Sequence, residues 1–135
     1  LGFMGINATL RDTARFGMAF TPSGEALAGE QVIPDAVMDK IYDRRFVEMY
    51  DKGWLGKKNT VSFWDDAGNI SNRYQWDAVF SDGDIFKAGV GGQGIYISPA
   101  TDTVVAWFST SDGNNQEESM ARAIVKFLAG DPLPR

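Results

Sequence analysis

The residues best suited to chemistry lie between Lys87 and Gly94. Lys87-Ala88-Gly89 is followed by Val90, a Gly91-Gly92 pair and Gln93. A lysine supplies a cation that can hold a substrate carboxylate and bias the ionisation of a nearby tyrosine. Gly89 carries no side chain, so a substrate backbone can come close to the strand that bears it. Gly91-Gly92 suits a tight turn. The GxxxxGK[ST] spacing and following helix of a phosphate loop are absent.

Other chemistries are excluded by what the chain lacks. It has no histidine and no cysteine, so no Ser-His-Asp triad, thiolate or His-ligated metal can form within it. No serine is followed three residues later by lysine, and no tyrosine sits in Tyr-x-Asn. Asp65-Asp66 and Asp82/Asp84 lack the spacing of a calcium loop and read as solvated turns. No metal site and no cofactor are expected. Acidic side chains number 18 against 13 basic, for a net charge of -5, which argues against a nucleic-acid surface. No apolar run reaches the ~18 residues of a membrane span. The compartment is not legible. Trp54, Trp64, Trp76 and Trp107 read most simply as core or cleft lining, with Trp76 also a candidate to border a substrate pocket.

The elements that must position these residues can be read from pattern. Thr9 and Asp12 make a capping-box-like start to a helix with Leu10, Ala14, Gly17 and Met18 on one face. Pro22-Ser23-Gly24 reads as a turn. Pro34 opens a second helix with Val37, Met38 and Ile41 buried. Residues 43–70 carry the weakest pattern; Asp51–Asn59 reads as a long loop and Val61–Trp64 as a short strand before a turn at Asp65–Asn69. From Arg73 the pattern is antiparallel strands: Arg73–Phe80, Ile85–Gly89, Gly94–Ser98 and Thr103–Ser109, with a turn at Ser81–Asp84. Asn115 caps a final helix, whose buried stripe is Met120, Ile124, Phe127 and Leu128. Val104–Phe108 is apolar without alternation, so both its faces should be covered. The C-terminal helix covers one, and nothing obvious covers the other.

Gly5–Gly17 (GINATLRDTARFG) resembles the stretch after the second motif of β-lactamase-like serine hydrolases. Lys87-Ala88-Gly89, Gly91-Gly92-Gln93 and the following strands resemble the third, Lys-Thr/Ser-Gly motif of penicillin-recognising enzymes. Class C β-lactamases, family VIII esterases and 6-aminohexanoate-dimer hydrolases share this order, and Gly-Gly-Gln looks closer to the esterase and amidase branch. The resemblance implies an α+β fold, an antiparallel sheet with a C-terminal helix packed on it and N-terminal helices. It implies attack by a serine on an ester, amide or β-lactam carbonyl, through an acyl-enzyme. Lys87 and the Val90 N–H would be catalytic, the latter as oxyanion donor. Ala88, Gly89, Gly91 and Trp76 would meet a small-molecule acyl substrate. Ala88 departs from the usual Thr or Ser, which weakens a lactamase reading.

The first two family motifs are absent, and Leu1–Gly5 reads as a chain entered in mid-fold. The expectation is therefore a single C-terminal segment over residues 1–135, helices and loop over 1–72, then strands and helix over 73–135. Alone it is expected to be inactive. Its partner would be the N-terminal portion of the same protein, or a second copy through self-association. The alternative is a non-catalytic binding or scaffold module with a degenerate hydrolase fold.

Overall fold

The computed structural model describes residues 6–57, 63–110 and 116–131. Short helices come first: α1 (Leu10–Met18), α2 (Pro22–Ala28), α3 (Asp35–Ile41) and α4 (Val47–Lys52). The strands β1 (Ser71–Arg73), β2 (Trp76–Val79), β3 (Ile85–Gly89), β4 (Gln93–Ser98) and β5 (Thr103–Trp107) follow, then helix α5 (Gln116–Leu128). The fold is α+β. The strands form one five-stranded sheet in the order β1-β2-β3-β4-β5, every neighbouring pair antiparallel.

Local chemistry accounts for the helix starts. The Thr9 hydroxyl oxygen accepts from the Asp12 N–H at 3.1 Å, satisfying one of the free donors of the first turn of α1. Thr21 caps α2 in the same way, with Pro22 in the first turn. The Pro22–Gly24 turn is thereby corrected to a helix start, because a proline there gives up an N–H that the first turn does not use. Pro34 stands at the N-cap of α3, one position ahead of the first helical position expected for it, Val37 is exposed, and Ile41 and Met38 carry the packing.

The stretch 43–70 holds α4, a helical turn over 54–57 and a 3₁₀ turn over Trp64–Asp66, so the loop expected over Asp51–Asn59 is corrected to largely helical residues over 51–57, with 58 and 59 outside the described residues. The strand expected at Val61–Trp64 is corrected where it can be seen, since Phe63 and Trp64 lie in turn and 3₁₀ conformation. Val61 and Ser62 lie outside the described residues, as does the expected cap Asn115. The single strand expected over Arg73–Phe80 is a hairpin. Tyr74 and Gln75 turn it with φ of 49° and 71°, the paired left-handed residues of a two-residue hairpin loop.

The sheet separates two apolar layers. On one face Trp76, Val79, Ile85, Ile95 and Ile97 meet Ile41 of α3, with Phe20, Met38, Tyr42, Val104 and Ala106 around them. On the other, Ala78, Phe86 and Tyr96 meet Ala121 and Val125 of α5, with Phe63, Ile70 and Phe80. Helix α1 packs on β4 and β5 from the first face. A Cβ at Gly17 would stand 2.6 Å from Val104 Cγ1 and 2.9 Å from Ile95 Cδ1, so the helix approaches this closely only as glycine. That contact covers the face of β5 that seemed to lack a cover.

The stripe expected to be buried on α5 is corrected. Met120, Ile124, Phe127 and Leu128 are exposed, and the helix turns Glu118, Ala121, Arg122 and Val125 to the sheet. The reason is electrostatic, and a hydropathy pattern does not see it. Arg122 is 6% exposed and donates from Nε to Asp65 at 2.7 Å, from Nη1 to the Tyr96 hydroxyl at 2.6 Å and from Nη2 to Asp82 at 3.0 Å. A guanidinium with all its forks engaged rotates the helix more strongly than a methionine does.

Candidate functional site

In a meander, alternate turns share one end of the sheet. Tyr74–Gln75 and Val90–Gly92 therefore lie at one end, and Ser81–Asp84 and Pro99–Asp102 at the other. Trp76, Lys87, Ala88, Gly89, Val90 and Gly91 all fall at the first end or just inside it.

The far end is bound tightly. There Arg122 joins Asp65, Asp82 and Tyr96, and the Tyr96 hydroxyl donates to Asp84 at 2.7 Å. Lys126 donates to Asp82 at 2.6 Å and Tyr42 to the Gly83 carbonyl at 2.9 Å. Asp66 accepts from both the N–H and the hydroxyl of Ser81, and Asp102 from both those of Ser23. Burial, and then the charges of Asp84 and Asp82, push the Tyr42 phenol up to about 12. Burial likewise raises Tyr96, with Asp84 adding to it.

The glycine end is open by comparison. Val90 is 85% exposed, and its N–H makes no hydrogen bond among the described residues. Gly91 and Gly92 hold φ of 87° and 82°, which a side chain at either position would strain. The turn is steadied from below by the Ser109 hydroxyl, which donates to the Gly92 carbonyl at 2.7 Å and lies 3.1 Å from Glu117 Oε1.

Lys87 lies opposite Ile95 in the β3–β4 register, on the sheet face that α1 covers. Its Nζ donates to Asp77 Oδ2 at 2.7 Å and to the Ala88 carbonyl at 2.8 Å. The Ala88 N–H donates to the same Asp77 oxygen at 2.8 Å. Ala88 turns its methyl the other way, toward Phe86, Tyr96 and Trp107. What it offers on the Lys87 side is backbone. The space that Gly89 leaves is occupied, since a Cβ there would meet Gln93 Cγ at 2.4 Å. Trp76 is 7% exposed and forms an aromatic cluster with Phe16, stacked at 6.4 Å, and Phe20, edge-on at 5.3 Å. Phe16 remains exposed and forms the outer surface of that cluster.

No protein-family model matches the chain, and no curated protein or solved structure shows significant similarity to it. Among the described residues no cluster of acidic side chains could hold a metal ion, and no helix is long and apolar enough to cross a membrane.

Sequence reasoning missed Asp77, the partner that fixes Lys87. A signal for it was present. The hairpin register pairs Val79 with Ile85 and Ala78 with Phe86, which places Asp77 across from Lys87. Opposite charges at equal distance on either side of a recognised turn mark such a pair. Ser109 and the Arg122 network were missed too, and these carry no comparable local signal.

Proposed function

We propose that the chain is the C-terminal part of a β-lactamase-like serine hydrolase acting on an ester, amide or β-lactam carbonyl. In this reading β3 walls the active site, and the nucleophilic serine comes from the N-terminal portion of the same protein. The observation that carries it is the Val90 N–H, without a partner among the described residues, on an exposed glycine turn directly beyond the strand that bears Lys87.

The chemistry follows from that arrangement. A serine attacking a carbonyl throws negative charge onto the carbonyl oxygen, and a backbone N–H already free of other partners can receive it without reorganisation. The serine's own N–H would be the second donor. Collapse of the oxyanion breaks the bond to the alcohol or amine, which leaves with the proton given up by the serine, and water then hydrolyses the acyl-enzyme to the acid and the free serine. Lys87 presents a held ammonium to the substrate beside the scissile group. Trp76 and Phe16 supply an apolar wall on the same sheet face. The antiparallel run β3-β4-β5 with α5 packed upon it supports the resemblance. So do the open edge of β5 and the exposed Met120–Leu128 stripe, which give an N-terminal portion a strand to pair with and a surface to cover.

The test is turnover of nitrocefin and p-nitrophenyl esters. The full-length polypeptide should hydrolyse at least one, and the isolated 135 residues neither. Val90→Pro removes the donor and should lower kcat by about 10²–10³, the effect of losing one oxyanion contact. Lys87→Ala should reduce acylation while the protein stays folded. Robust turnover by the isolated chain, or normal turnover by a folded Val90→Pro variant, would sink the reading.

A further inference from the structure

The surroundings of Lys87 decide which substrates it can accept. Its ammonium is held by two acceptors, Asp77 Oδ2 at 2.7 Å and the Ala88 carbonyl at 2.8 Å. Asp77 Oδ2 is itself fixed by two donors, Lys87 Nζ and the Ala88 N–H at 2.8 Å. The pair is partly shielded, with side-chain exposures of 38% for Lys87 and 18% for Asp77. An ammonium has three protons, so one remains for a ligand, on a group whose charge is already balanced.

We infer that Asp77 is a specificity-determining residue that makes the site prefer neutral acyl substrates, esters and amides without a carboxylate, over carboxylate-bearing ones. The inference rests on the hydrolase reading and extends it to a substrate class. A substrate carboxylate within hydrogen-bond reach of Lys87 Nζ also comes close to Asp77 Oδ2, because both are bound to the same nitrogen. Repulsion from Asp77 then offsets the attraction of Lys87, and partial burial strengthens both. No side-chain donor at position 88 compensates, since the Ala88 methyl packs on the opposite face. A neutral carbonyl or ether oxygen accepts the remaining Lys87 proton with no such opposition.

The experiment compares kcat/KM for p-nitrophenyl butyrate and mono-p-nitrophenyl succinate, using the full-length polypeptide. The wild type should favour the butyrate. Asp77→Asn should raise the succinate-to-butyrate ratio by about tenfold or more, the scale of a like-charge contact removed. Asp77→Glu should keep the wild-type ratio. Adding Lys87→Met to Asp77→Asn should abolish the gain, because the gain runs through the lysine. If Asp77→Asn does not fold, the wild type still decides: monomethyl succinate should inhibit it no better than dimethyl succinate. A folded Asp77→Asn variant with an unshifted ratio, or a wild type that favours the succinate, overturns this inference alone. Turnover of nitrocefin but of neither ester also overturns this inference alone, whereas turnover of none of the three overturns the hydrolase reading and this inference with it.

Discussion

Arg122 Nη1 lies 2.6 Å from the Tyr96 hydroxyl, joining the C-terminal helix to β4 through a bond buried at both ends. The same guanidinium sits 4.2 Å from the centroid of the Phe80 ring. Burial works against the charge of Arg122, but Tyr96, Asp82 and Asp65 outweigh it and hold the group above its ordinary value.

Arg122→Met should therefore be among the most damaging substitutions in α5. It fills the volume but removes a donor shared by Asp65, Asp82 and Tyr96, of which Asp82 keeps Lys126. The expected loss is about 3–5 kcal/mol. It falls toward the lower end because Asp65 and Asp82 keep 37% and 29% exposure and can turn to water. Arg122→Lys should recover only part, since an ammonium cannot reproduce the fork. Urea midpoints of the two variants check this.

Stability toward acid should follow carboxylates that the fold keeps ionised. The Arg45 hydrogen bonds bring Asp43 down to about 2, and those of Ser23 lower Asp102. Burial pulls Asp82 upward, but the Lys126 hydrogen bond and the Arg122 charge leave it below its ordinary value. Lowered folded values mean stability that is present above the unfolded value of about 4 and lost as pH falls through the folded ones. Asp84 has the opposite sign. Burial raises it despite hydrogen bonds from Ser98 and Tyr96, so its contribution is present at low pH and lost as pH rises through its folded value. Urea midpoints should fall between about pH 4 and 2. Asp82→Asn should flatten that acid limb, whereas Asp84→Asn should change the profile above it.

Gly17→Ala should destabilise, although alanine is the better helix former by about 1 kcal/mol. The added methyl would sit 2.6 Å from Val104 Cγ1, against a branched side chain with little freedom to move. Overpacking of this kind costs about 1–3 kcal/mol. Val104→Ala should relieve it, so the double variant should be more stable than the sum of the single effects, measured by a thermodynamic cycle on urea midpoints.

The outer stripe of α5 should govern association. Ile124→Glu with Phe127→Lys touches side chains that are 40% and 56% exposed, so the urea midpoint should hold within about 0.5 kcal/mol of stability. Size-exclusion chromatography with light scattering should show the isolated chain as an oligomer and the variant as a monomer. A wild-type monomer that stays in solution would show that the stripe and the β5 edge need no cover.

The strands β3, β4 and β5 were legible almost to the residue. Turns marked by Gly83, Gly91-Gly92 and Pro99 separate them, and their apolar content leaves little choice of period. The Thr9 cap was legible because a hydroxyl three residues ahead of an acid is a local arrangement. The β1–β2 hairpin was not, because Tyr74 and Gln75 carry no glycine to announce a left-handed turn. Nor was the inward face of α5, since Arg122 counts as a surface residue until its partners Asp65, Asp82 and Tyr96, far away in sequence, are known. The site showed a similar divide. Lys87 and the glycine turn could be found from their own residues, while Asp77 required the register of a hairpin.

The strand order β1-β2-β3-β4-β5 also bears on how the chain reaches this fold. Every strand pairs with its neighbour in sequence, so each pairing closes only a short loop. Low contact order of this kind favours fast assembly of the sheet, hairpin by hairpin. The contacts that must wait are those of α1 and α2, whose Gly17 and Ser23 reach across the chain to Val104 and Asp102. Refolding kinetics should therefore be set by the docking of these amino-terminal helices and not by formation of the strands.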